Sequence, residues 1–87
     1  MQLVWDETKR QKTLAERGLD FVDAALVFDG AVVEWEDRRQ DYGERRIVCV
    51  GHLLDRMVVI GYVQRGASRH IFSMRKANAR EKTHFGQ

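Results

Sequence analysis

Six residues of this sequence, Glu44, Arg46, Arg65, His70, Arg75 and Lys76, combine types and positions that suit chemistry on a phosphodiester. Other constellations fall away first. His52, His70 and His84 lack a metal-ligand spacing, and the single Cys49 builds no structural zinc site. No glycine-rich loop follows a strand to cradle a nucleotide, and Ser68 and Ser73 carry no nucleophile-elbow signature. Neither a metal nor an organic cofactor is expected. What remains is arginine, lysine and a few acids in strand-like runs. Cutting RNA by attack of its own 2′-hydroxyl needs a base on that oxygen, positive charge around the phosphorane and an acid for the leaving oxygen. Arginine offers planar, bidentate donors to phosphate oxygens. Glu44 suits the base, and His70, or a lysine of lowered pKa, suits the acid. On spacing alone the same residues fit surface ion pairing better, Glu44 with Arg46 for example, which would add little stability.

Of the aromatics, Trp5, Trp35, Tyr42, Tyr62 and Phe85 have faces on which unpaired bases stack. Trp5 and Tyr62 lie in apolar runs and fit a core better. Tyr42, in a polar loop beside Asp41 and Gly43, is better placed for a base. His52 and His84 read as surface residues, and Cys49, inside IVCV, as a small buried hydrophobe.

The elements that must position these groups follow from periodicity. Leu3-Val4-Trp5 is a short strand, and Asp6 then caps a polar helix reaching about Arg17, anchored by Leu14 and Ala15 and ended by Gly18. Asp20 caps a second helix whose apolar face is Phe21, Ala24, Ala25 and Phe28. From Val32 the period is that of strands: 32–36, a polar loop 37–43, then 45–51, 56–65 and 68–76. Tight links at Leu54-Asp55 and Gly66-Ala67 make the last three antiparallel neighbours. Residues 77–85 form a final helix. The predicted fold is α+β in a single domain over 1–87: two N-terminal helices, a central antiparallel sheet, a C-terminal helix. Strict alternation puts Glu44, Arg46, Val48 and Val50 on one side of their strand, and separates Arg69, Ile71, Ser73 and Arg75 from His70, Phe72, Met74 and Lys76. Such a sheet would gather Arg46, Arg65 and Arg75 in one pocket.

Composition agrees with a folded chain. Its 87 residues are 44% apolar and 32% charged, against disorder. No apolar run spans a membrane and no signal peptide opens the chain, so a cytoplasmic protein without membrane contact is expected. Net charge is +2 but uneven: residues 65–87 hold six basic residues against one acid, whereas 1–64 hold nine against twelve. A basic C-terminal quarter on an acidic body suits a local polyanion site.

Four segments, in one consistent order over nearly the whole chain, resemble the BrnT family: VWDETKRQKTLAERGLDFVDAALVFD (4–29), DYGERRIVCVG (41–51), VVIGYVQRG (58–66) and SMRKANARE (73–81). The resemblance implies a RelE-like fold and a toxin that cleaves RNA and stops bacterial growth. Its implied partner is a BrnA-like antitoxin with a ribbon-helix-helix domain. Operator DNA would be met only through that antitoxin, and a heterotetramer or homo-oligomer is expected. The resemblance points to Arg46, Arg65, Arg75 and Lys76 as the catalytic cluster, with Glu44 nearby and Arg80 on the last helix. Glu44 is counted with the catalytic group, and Arg17, Tyr42, Arg69, His70 and Arg80 are expected to contact RNA. Three positions depart from the pattern: Glu16-Arg17 replaces a Lys-His pair, His70 an arginine, and Phe85 a tyrosine. Phe85 keeps a stacking face but has no hydroxyl for acid–base work. The alternatives to a nuclease are a non-catalytic nucleic-acid-binding module and a protein-interaction module.

Overall fold

Seven consecutive residues, Met57 to Val63, are buried. Successive strand residues point to opposite faces, so this strand must be covered on both sides and flanked by others. The computed structural model, which describes residues 1–86, meets that requirement with five strands and three helices. They run β1 (Gln2–Trp5), α1 (Glu7–Arg17), a 3₁₀ turn (Phe21–Asp23), α2 (Ala24–Asp29), β2 (Val33–Glu36), β3 (Arg46–Leu53), β4 (Arg56–Arg65), β5 (Ser68–Lys76) and α3 (Ala79–Phe85). Sheet order is β1-β5-β4-β3-β2, with β4 at the centre. One face buries Val58, Ile60, Tyr62, Cys49, Ile71 and Met74 under the segment carrying Leu19, Phe21, Ala24 and Val27. The opposite face packs Val50, Met57, Val59 and Ala77 beneath Phe85 of α3. Among the described residues no helix is long and apolar enough to cross a membrane.

The sheet is mixed, not wholly antiparallel. β1 lies at the edge and runs parallel to β5, Gln2 opposite Ser68 and Trp5 opposite Ile71. Short links dictate the antiparallel partners of β3, β4 and β5, but no local signal names the partner of a four-residue strand whose chain neighbour is a helix. Asp6 caps α1 by accepting from the Thr8 and Lys9 amides, and Gly18 ends it at φ +68°. Leu14 and Ala15 do not anchor that helix; both are exposed. Arg10 holds it instead, donating to both oxygens of Asp20 at 2.8 and 3.0 Å, and Arg17 donates to the Met74 carbonyl at 3.0 Å. After Asp20 the chain first makes a 3₁₀ turn, whose period of three shifts the buried face to Phe21, Ala24 and Val27 and leaves Ala25 exposed.

A bulge overturns strict alternation in β5. Gly61 faces Ser73 but Tyr62 faces Ile71, so Phe72 is the extra residue. The phase slip lets Ile71 and Met74 share one core. It also brings His70, opposite Val63, and Arg75, opposite Val59, onto the other face. The Phe72 ring lies directly over Gly61, where an added Cβ would meet ring carbons at 2.7 Å. Only glycine admits the ring there.

α3 buries none of its residues fully and is fastened at discrete points. Asn78 and Glu81 form a reciprocal capping box. Arg75 donates to both Glu81 oxygens at 2.8 Å. Phe85 stacks on Trp35 with ring centroids 5.5 Å apart, so neither face-to-face partner is free at that contact for a nucleobase. The hydrogen bonds from Arg75 outweigh desolvation and hold the Glu81 carboxyl at about 2, against an ordinary 4.5.

A depressed folded-state pKa gives stability that is complete above the ordinary value and is lost as pH falls through the folded value. The stability difference between wild type and Glu81→Gln should therefore be largest near neutrality and shrink from about pH 4.5 toward 2, as read by urea melts followed through Trp35 fluorescence. Leu54, with φ +60° at the β3–β4 turn and 88% exposed, sits in backbone that disfavours a branched side chain. Leu54→Gly should raise stability by about 0.5–1 kcal/mol in equilibrium denaturation, the relief of left-handed strain exceeding the chain entropy of glycine.

Candidate functional site

α3 covers only part of its sheet face. At the other end, where β3 begins and β4 ends, the face is open and carries charge. The Arg46 guanidinium lies 4.1 Å from the centre of the Tyr42 ring and 4.7 Å from that of Phe72. Both aromatics attract it through their ring quadrupoles. Arg46 has no carboxylate within 4 Å among the described residues. Its neighbour Arg65 is held otherwise. Its Nε and Nη2 donate to the Glu44 oxygens at 2.8 and 2.6 Å, and its Nη1 lies 3.3 Å from His70 Nδ1. An arginine has only donors, so this contact leaves Nδ1 as acceptor and places the proton of a neutral His70 ring on Nε2.

Register explains the gathering. Arg46 stands opposite Val63, and Val63 opposite His70, which sets Arg46 and His70 on one face across three adjacent strands. Arg65 ends β4 on the same face, two residues beyond Val63. The loop before β3 folds Tyr42 and Glu44 back over this corner. Tyr42 is itself fixed by donating its hydroxyl to Asp37 at 3.1 Å. Lys9, from the first turn of α1, reaches the rim of the same hollow.

Charge within the hollow is organised in advance. The Arg65 guanidinium holds the Glu44 carboxyl below its ordinary range, with His70 and Arg46 adding in the same direction. Glu44 in turn raises Arg65. While this pair is intact, Glu44 is ionised and a weak proton acceptor; it orients Arg65. A phosphate arriving at Arg65 would compete for the same two donors and free the carboxylate.

The expected convergence of Arg46, Arg65 and Arg75 is corrected to two of the three. Arg75 shares the sheet face, but its register partner Val59 lies four residues along β4 from Val63, about 13 Å at the usual strand rise. It occupies a neighbouring hollow with Trp35, Asp37, Arg39 and Glu81. The loop bridges the two, since Asp37 pairs with Arg39 at 2.8 Å and accepts from Tyr42. Lys76, opposite Val58, falls on the other face and is exposed. Arg80 is exposed on α3. Arg69 also belongs to the other face, its guanidinium over Phe28 and Tyr62 at 4.6 and 4.8 Å. Arg17 is occupied with the Met74 carbonyl. Thus Tyr42, Glu44, Arg46, Arg65 and His70 meet, while Lys76, Arg80, Arg69 and Arg17 lie elsewhere.

Sequence reasoning missed Lys9 and Phe72. A glycine within the apolar run of β4 was the available sign that a ring packs across it. Lys9 carried no sign, because its helix is joined to the site only through β1. Cys49 is fully buried, and burial pushes its thiol up to about 12, which suits packing and not nucleophilic attack. Tyr62 is core, its hydroxyl donating to Glu34.

No curated protein matches the chain. A family model does: ribonuclease toxin, BrnT, of type II toxin–antitoxin system, over residues 5–81. That span takes in Lys9, Tyr42, Glu44, Arg46, Arg65 and His70 together with β2 to β5 and the last residue of β1. Accordingly, the chain belongs to the BrnT family of ribonuclease toxins, whose partner in a type II system is an antitoxin.

Proposed function

We propose that this protein is a metal-independent endoribonuclease that cuts cellular RNA in the hollow between β3, β4 and β5, arresting growth until a ribbon-helix-helix antitoxin covers it. The observation that supports this most is the meeting of Arg46, Arg65, Glu44 and His70, from two adjacent strands, a loop and a third strand, on sheet surface that no helix covers. Phosphoryl oxygens accept from Arg65 and Arg46, whose charge grows in value as the phosphorane becomes more anionic than the ground state. Phosphate displaces Glu44 from Arg65. The freed carboxylate takes the 2′-hydroxyl proton as that oxygen bonds to phosphorus. The bond from phosphorus to the 5′-oxygen breaks. His70, carrying a proton on both ring nitrogens once Arg65 has turned to the phosphate, supplies the proton that leaves a free 5′-hydroxyl and a 2′,3′-cyclic phosphate and itself returns to the neutral ring. Tyr42 and Phe72 keep Arg46 in place, and the Tyr42 edge is positioned to meet a flanking base. Arg75, in the adjacent hollow, contacts a phosphate further along the strand. Lys76 lies on the opposite face and acts outside this centre.

In the cell the toxin works in the cytoplasm, on RNA, and meets operator DNA only through its antitoxin, assembled as a heterotetramer with it or as a homo-oligomer without it; no membrane is involved.

With a chelator present, purified protein should still cut a defined RNA and leave cyclic phosphate ends. Arg46→Ala and Arg65→Ala should each lower kcat about 10²- to 10³-fold with the thermal melt unchanged. Binding of RNA without any cleavage by wild type would instead assign a nucleic-acid-binding module. In growing bacteria, expression should stop growth and co-expression of the adjacent small reading frame should restore it. Arg75→Ala should raise KM more than it lowers kcat; equal loss of kcat would move Arg75 into the reacting centre.

A further inference from the structure

The cleavage hollow uses only part of the basic C-terminal quarter, Arg65 and His70. Lys76, Arg80 and Lys82 close the chain at the end of the sheet where β5 finishes, β4 starts and α3 begins. Arg56, the first residue of β4, stands at the same end, opposite Leu53 across the β3–β4 turn. Arg56 and Lys82 line one open hollow between this turn and α3, with His52, Asp55 and Thr83. All four cations are exposed.

Their pairing state leaves them available to an outside anion. Arg10, Arg38, Arg39, Arg45, Arg65 and Arg75 are each matched to a carboxylate within 4 Å, whereas Arg56, Lys76, Arg80 and Lys82 have no such partner among the described residues. Of the other unpaired cations, Arg17 is taken by the Met74 carbonyl and Arg46 and Arg69 lie over aromatic rings, which leaves Lys9 and Lys12 on α1. The carboxylate nearest in sequence to Lys82 and Arg80, Glu81, is committed to Arg75. Asp55 is the one acid on the rim of the hollow. Four uncompensated positive charges thus concentrate at one end, on side chains long enough to reach outward. Such an array attracts phosphodiester backbone without reading sequence.

We infer that the end of the sheet bearing Arg56, Lys76, Arg80 and Lys82 is a second contact for the RNA backbone, remote from the cut and engaged only by long substrates. This rests on the ribonuclease function proposed above. From Arg56 to Arg65 the ten residues of β4 extend about 30 Å. Stacked nucleotides rise about 3.4 Å each, so roughly nine separate this end from the hollow at Arg65. A tetranucleotide occupies one region; an RNA of twenty or more nucleotides reaches both. The surface would hold substrate while the hollow samples its bonds, and would favour long transcripts over fragments already cut.

The test compares two RNAs that share one cleavage site, a tetranucleotide and a 25-mer, using wild type and the Arg56→Gln/Lys82→Gln variant. Neither residue touches the cleavage hollow, and both are exposed, so a native thermal melt is expected. For the 25-mer, KM should rise about tenfold with kcat retained. The slope of log binding constant against log salt should fall by about 1.4, the release expected for two phosphate contacts on a single strand. Tetranucleotide kinetics should be those of wild type. An unchanged KM and salt slope on the 25-mer overturns the second contact. So does loss of binding to duplex DNA alone, which would reassign the surface to DNA. If wild type cuts neither RNA, the ribonuclease function itself has failed, an outcome separate from either of these.

Discussion

Burial of both faces of β4 governs this molecule. A strand whose residues from Met57 to Val63 are all withdrawn from water has to sit between neighbours and under two covers. The chain supplies the first cover with the segment around Phe21 and Val27, and the second with α3, a helix of seven residues. The second cover is too short for the strand it protects. β4 outruns it, and the uncovered stretch is where Arg46, Arg65 and His70 stand. The site exists because a long strand is capped by a short helix.

The bulge at Phe72 converts this opening into a site. Without it, alternation would send His70 and Arg75 to opposite faces. One extra residue restores Ile71 and Met74 to a common core and turns both basic side chains outward together. The same residue lays its ring on Gly61 and against Arg46. A single irregularity therefore satisfies the core, aims the cations and provides an aromatic support for one of them. This explains why a glycine is tolerated in the centre of the most buried strand, where it forgoes a side chain that would otherwise fill the core.

Much of the fold was legible because it rests on local rules. The apolar runs 56–65 and 68–76, the two tight links, the Asp6 cap and the Gly18 stop are each properties of a few neighbouring residues, and each appears in the structure. What escaped depends on distant parts of the chain. The parallel placement of β1 beside β5 joins residues 66 positions apart. The anchoring of α1 by Arg10 needs Asp20 after the intervening turn, and hydrophobic periodicity does not show an anchor made of charge. The site divides in the same way. Glu44, Arg46 and Arg65 come together through hairpin pairing that sequence suggests, whereas Arg75 is parted from them by position along the strand, which sequence could not fix without register.

The pairing of cations with acids then distinguishes kinds of work across one surface. Arg65 and Arg75 are both bidentate to glutamates and both line hollows, but their partners differ in what they can release. Glu81 is tied into a capping box and a helix terminus, so drawing Arg75 away loosens α3. Glu44 lies in a loop with a half-exposed side chain and loses little when Arg65 turns to another anion. Exchange of carboxylate for phosphate therefore costs least at Arg65. An exposed arginine without a partner would have to be ordered by the substrate itself, at the expense of side-chain entropy. One already fixed by Glu44 meets the phosphate in place, and in the proposed reaction the carboxylate it gives up is the group that takes the proton. Preorganisation and activation are then two consequences of one ion pair.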